Sequence, residues 1–179
     1  MGGFALATIA LVVGLVGCGW HAGLLVPPNA ETLGLRFLGN ETRLPGLEVD
    51  VTQAIGRAVR DRVSLRTAEP ERADLVLEGE VFELRRWAGV RSPENVQLEA
   101  SVQLGVELRL VDRKSGDVLN TSSRDLRAGY VIDPGFGVAN SPGQLVAQSR
   151  AISNLAEGLV LDLFRPVTQQ VSADDPSTP

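Results

Sequence analysis

From Val96 to Leu110 every even-numbered residue is apolar, while the odd positions run Gln97, Glu99, Ser101, Gln103, Gly105, Glu107 and Arg109. Strict period two over that length predicts a strand with one buried face, and at roughly 3.3 Å per residue it approaches 50 Å. Such a strand outgrows a small sheet, so part of it is expected to project as a hairpin arm. Lys114 to Asp117 reads as the hairpin turn. Val118 to Val131 is a more polar return strand with Thr121, Ser122, Ser123, Arg124 and Asp125 in a row, the kind of sequence with which a sheet edge resists stray pairing.

The remaining segments fill in a fold. Leu33, Leu35 and Phe37 alternate with Gly34 and Arg36, which predicts a short strand over 33–38, and Asn40 to Thr42 predicts a turn. Pro45-Gly46 opens a helix in which Leu47, Val51, Ala54, Ile55, Ala58 and Val59 form one apolar stripe. A short strand is expected at 64–67. In Leu75 to Leu84 the residues Leu75, Leu77, Gly79 and Val81 share one face, and Glu78, Glu80 and Phe82 the other. The glycine- and proline-rich stretch 129–143 reads as a loop, and Ser141 to Gln144 as a capping box. It starts a helix with Leu145, Gln148, Ile152, Leu155, Ala156, Leu159 and Leu163 on one face, ended by Pro166. The order strand, helix, strands, helix predicts an α+β protein. We expect a two-layer α/β sandwich with two helices on one face of a roughly four-stranded mixed sheet with long hairpin strands. The domain runs over 33–165, and the polar tail 166–179 reads as disordered.

Composition narrows the functions. The 179 residues are 44% apolar and 22% charged, with a net charge of −5. That balance argues against nucleic acid as a partner, which normally needs a basic surface. Aromatics make up only 4%, so base-stacking platforms are not expected either. With one His, one Cys and one Tyr, the chain has little material for nucleophilic or metal chemistry. We therefore expect no enzyme, no metal and no cofactor. The lone His21 reads as linker surface.

The cysteine has another use. Phe4 to Val16 carries no charged side chain and at 13 residues is too short to cross a bilayer, which takes about 20. It suits the apolar core of a secretory signal. Leu15-Val16-Gly17-Cys18 resembles the lipobox of bacterial lipoproteins. That resemblance implies a signal peptide over 1–17 that is removed, lipid attachment at Cys18 as the first mature residue, and a linker over 18–32. Gly19, where inner-membrane retention would favour aspartate, implies an outer-membrane, periplasm-facing location.

Taken in order, these features resemble the LptE family of lipopolysaccharide-assembly lipoproteins. The residues that carry the resemblance are Cys18-Gly19-Trp20-His21, then Leu33 to Leu38 leading into Asn40-Glu41-Thr42, and Pro45-Gly46-Leu47-Glu48. Ala73 to Gly79 (ADLVLEG) and Asp112 to Leu119 (DRKSGDVL) complete it, so that the similarity covers roughly 11–165. It implies a protein without catalytic activity that plugs and helps assemble the LptD β-barrel translocon, binds lipopolysaccharide, and is held to the membrane by its N-terminal lipid. ADLVLEG and the DRKSG hairpin also resemble lipoproteins that activate penicillin-binding proteins or form curli-secretion channels, which gives the alternative of a regulator or channel subunit. Within the LptE reading, Arg85, Arg86 and Arg91 beside Trp87 form the first candidate contact for lipopolysaccharide phosphates. Arg124 and Arg127 on the polar return strand form the second.

Overall fold

The computed structural model describes residues 26–132 and 142–165. Its elements are β1 (Thr32–Leu35), β2 (Gly39–Asn40), α1 (Leu47–Arg62), β3 (Arg66–Thr67), β4 (Leu75–Ala88), β5 (Glu99–Asp112), β6 (Val118–Val131) and α2 (Pro142–Leu163). The strands form one mixed sheet in the order β3-β1-β4-β5-β6, with β2 pairing β4. Pairing of β1 with β3 and β4, and of β2 with β4, is parallel; the β4–β5–β6 meander is antiparallel. Both helices pack on one face, so the two-layer α+β sandwich holds. Six strands replace the roughly four expected, because β1 ends at Leu35 and pairing resumes as the separate β2, and because the short β3 adds to the edge beside β1.

The period-two face of β5 is the floor of the core. Leu104, Val106, Leu108 and Leu110 pack with Leu77 and Val81 of β4, the α1 stripe, and Leu155, Leu159 and Leu163 of α2. A second, smaller cluster of Ala100, Val102, Tyr130, Ile132 and Ala147 lies under the first half of α2. Beyond Val81 nothing pairs the free side of β4 among the described residues, so β4, β5 and β6 continue as a three-stranded arm. The expected hairpin arm is there, and β6 is the sheet edge its polar sequence suggested.

Local chemistry accounts for the boundaries. Helix α1 begins at Leu47, after Pro45-Gly46, because Gly46 takes a left-handed conformation (φ 86°) that side chains resist. Glu48 reaches back to the Gly46 N–H (3.3 Å) and accepts a 2.5 Å bond from the Asn40 side chain. Asn40 also donates to the Leu44 carbonyl (2.9 Å) and accepts from the N–H and hydroxyl of Thr42 (2.9 and 2.7 Å). The expected turn at 40–42 is thus an Asx-type turn that follows a strand residue.

Three expectations shift. Phe37 is exposed and Leu38 is buried in its place, because the chain leaves the β1 alternation after Leu35. In α2, Leu145 is 57% exposed, while Gln144 and Ala147 face the sheet. The long strand begins at Glu99, so Val96 and Leu98 belong to the exposed connection before it. The lipobox with Cys18, Ser141 of the expected capping box, Pro166 and the tail lie outside the described residues.

Candidate functional site

Pairing across the arm decides which candidates meet. Directly opposed residues on antiparallel strands share a face. Trp87 opposes Ser101, which opposes Gly129; Arg85 opposes Gln103, which opposes Arg127. These two rows lie on the face away from the helices, since their neighbours Ala100, Val102 and Tyr130 are the buried ones. Arg127 reaches diagonally across the small residues of the neighbouring row, and its guanidinium carbon sits 4.5 Å from the centroid of the Trp87 ring. At that distance the ring face attracts the cation and leaves the N–H edge of the guanidinium available. Arg85 pairs with Glu83 at 2.6 Å, and Gln103 donates to Glu83 (3.2 Å) and to Asp125 (3.0 Å). Among the described residues Arg127 has no carboxylate partner.

The other three candidates lie apart from this pair. Arg86 opposes Val102 and so belongs to the helix-side face; with Arg85, Arg43, Thr42 and Leu44 it lines an open groove beside the free side of β4. Arg91 donates to the Asn95 side chain (2.9 Å) and carbonyl (3.4 Å), holding the β4–β5 connection in which Asn95 adopts φ 64°. Beside it Glu94 is held below the usual carboxylate range, chiefly by a bond from Ser92. Arg124 opposes Val106 on the helix side and bonds Asp162 of α2 at 2.5 Å. Its guanidinium lies over Gly158, where an added Cβ would come within 2.9 Å of it. Arg124 is a strut between β6 and α2. The bond holds the Asp162 carboxyl below its ordinary range and raises Arg124.

Residues that carried the family resemblance serve as fasteners. The Asp74 carboxylate accepts from the Glu31 N–H (3.1 Å), the Thr32 N–H (3.2 Å) and the Thr32 hydroxyl (2.8 Å), pinning the start of β1 to that of β4. These bonds, the Thr32 hydroxyl first, hold Asp74 below the usual carboxylate range, with Lys114 adding to the effect. Glu48 is lowered as well, first through its own backbone N–H and then through Asn40. Asp112 accepts from the N–H groups of Lys114 and Ser115 (2.8 and 3.1 Å) and shapes the β5–β6 turn.

Sequence reasoning missed the contact of Arg127 with Trp87 and the part played by Gln103. Their register depends on two irregularities: Phe82 is an extra residue in β4 between Val81 and Glu83, and Leu119 is one in β6 opposite Leu110/Val111. At the first, Phe82 turns its ring onto Gly105, where an added Cβ would approach it to 2.6 Å. The single glycine in the odd-position run of β5 was the available signal. Among the described residues no His, Cys, Asp and Glu group has metal-holding geometry, and no helix is long and apolar enough to cross a membrane.

Comparison with known proteins places this architecture. No curated protein matches the chain by sequence. Among solved structures, PelC from Paraburkholderia phytofirmans, a dodecamer, is 18% identical with a TM-score of 0.52, covering 76% of this chain and 89% of PelC. The rare lipoprotein B of Shewanella oneidensis is 16% identical with a TM-score of 0.50, covering 73% and 92%. A DUF330 protein from Xanthomonas campestris is 11% identical with a TM-score of 0.56, covering 79% and 90%. At such identities the likeness is one of fold. The model of the LptE lipopolysaccharide-assembly family matches residues 30–167, from just before β1 to beyond α2, so this chain belongs to the LptE family.

Proposed function

We propose that the protein is an outer-membrane lipoprotein, anchored through Cys18, that works with an LptD-like β-barrel in moving lipopolysaccharide to the outer leaflet. In this reading it binds and assembles and catalyses nothing. The observation that carries it is the pairing of Arg127 with Trp87, next to Arg85, on a sheet face that neither helix covers. Arginine forks match phosphate oxygens, and an indole offers apolar surface to acyl chains or sugars, so the pair suits an amphipathic phosphorylated glycolipid. Family membership supports the same assignment.

The experiment is purification of the tagged full-length chain from detergent-solubilised outer membrane. A large β-barrel protein is expected with it in a fixed ratio, and Cys18→Ala should abolish both labelling by an alkyne fatty acid and recovery from that fraction. Recovery without any barrel would contradict the partnership. A second reading is a self-assembling lipoprotein, favoured by likeness of fold to PelC, which forms a dodecamer. The mass of the solubilised particle separates the two, because a homo-oligomer contains this chain alone.

A further inference from the structure

The end of the domain opposite the arginine face carries an apolar surface of its own. Val26, Pro27 and Pro28 lie beside Leu119 and Leu163 around a shallow groove at the β5–β6 turn. Val118 and Leu119, the first two residues of β6, are 52% and 45% exposed. Arg165 lines the groove and lies 3.6 Å from Asp162, and Lys114 of the adjacent turn lies 3.7 Å from Asp74; their side chains are 69% and 72% exposed. Exposed apolar side chains beside long side chains whose charges stay in water suit a headgroup boundary.

What selects the occupant is the length of chain outside the described residues. The described structure begins at Val26, in the groove, and Cys18 is eight residues earlier. Eight residues span at most about 28 Å when fully extended. Strand β5, 14 residues long, separates this end from the arm tip by about 45 Å. A lipid on Cys18 would therefore hold the groove end close to the bilayer. We propose that this end, formed by Pro27-Pro28, Val118-Leu119 and the close of α2, seats on the membrane surface, with the arm pointing away from it. The inference rests on the reading of Cys18 as the lipid anchor, and it adds an orientation. The anchored leaflet and the arginine face lie at opposite ends of the long strands.

The test uses the full-length lipidated protein in phosphatidylethanolamine–phosphatidylglycerol vesicles that contain nitroxide-labelled lipids. With Cys18 acylated, a cysteine introduced as Val118→Cys or Val90→Cys is the one thiol that takes a polarity-sensitive fluorophore. Both positions are exposed, so neither substitution should unfold the domain. We expect a blue shift at 118 and quenching by nitroxide lipid several-fold stronger than at 90. Protein that floats with the vesicles while 118 is quenched no more than 90 would overturn the seating and leave the anchor intact. A blue shift at 118 without lipid quenching would mean that a segment of the chain covers the groove, and would also overturn it. Protein that fails to float would contradict the anchor and the seating together.

Discussion

The body and the arm of this sheet treat their arginines differently. On the outer face of the body, Arg36 bonds Glu78 at 2.9 Å, and Arg109 approaches the other oxygen of the same carboxylate at 3.6 Å. At the helix layer Arg62 pairs with Glu157 and Arg124 with Asp162. On the arm Arg85 pairs with Glu83, but Arg127 rests on an indole, and among the described residues neither it nor Arg86 meets a carboxylate. Apolar side chains add to the contrast. Leu77 and Leu108 are fully buried in the body, whereas Trp87, Val90, Leu98 and Val131 at the arm tip are exposed, as Val118 and Leu119 are at the opposite end. These four arginines of the body are tied to carboxylates, whereas Arg127 on the arm leaves a cation on an indole, with apolar side chains facing outward beside it. Residues that hold the fold and residues free to meet a ligand are thus largely separate sets.

The sharpest way to break that division is through the core. Leu108→Ala removes a fully buried side chain between the sheet and both helices and is expected to cost about 2–5 kcal/mol. Val90→Ala at the exposed tip should change stability by no more than about 0.5 kcal/mol. Urea unfolding of the two variants measures the contrast, and equal losses would erase the distinction between body and arm.

Next comes the junction before α1. Asn40→Ala strands the Leu44 carbonyl and the Thr42 groups, with an expected cost of about 1–3 kcal/mol by the same unfolding curves. The carboxylates of the body add a dependence on pH. Asp74 and Asp162 have folded-state values below their ordinary ones, so the unfolded chain takes up protons first. Their contribution is fully present above the unfolded value near 4 and is lost as pH falls through the lower folded values. The melting temperature should fall as the pH drops below about 4, and Asp74→Asn should flatten part of that slope. A slope unchanged in the variant would remove Asp74 from the account. Arg124→Ala is expected to cost less, about 0.5–1 kcal/mol, since the pair is partly exposed. It should leave lipopolysaccharide binding unaltered.

The sequence revealed the body better than the arm, for physical reasons. Burial writes a period into the chain, so the β5 alternation and the α1 stripe were legible from residue type alone. The β6 strand was readable through its polarity. Leu145 misled because an apolar residue one position off the helix stripe looks the same in a sequence as one on it. The arm's outer face has no period to betray it. Which arginine meets Trp87 depends on strand register, and that register passes through a bulge at Phe82 whose only trace is Gly105. Grouping Arg85, Arg86 and Arg91 by nearness in sequence joined side chains that the pleat places on opposite faces, while Arg127, 36 positions beyond Arg91, is the one that reaches the indole.

The most direct test of the central claim is a titration of the full-length protein in detergent with purified lipopolysaccharide at two ionic strengths. It compares the parent with the double variant Arg85→Ala/Arg127→Ala and with Arg124→Ala, after all three are shown to melt cooperatively. Sheltered charge-assisted bonds contribute about 1.5–3 kcal/mol each, so the double variant should lose about tenfold or more in affinity. The loss should shrink at high salt, where the exposed part of the attraction is screened. Arg124→Ala should bind like the parent. Equal affinity of the double variant and the parent at low salt would contradict the account and return the arm's arginines to the status of solvated surface.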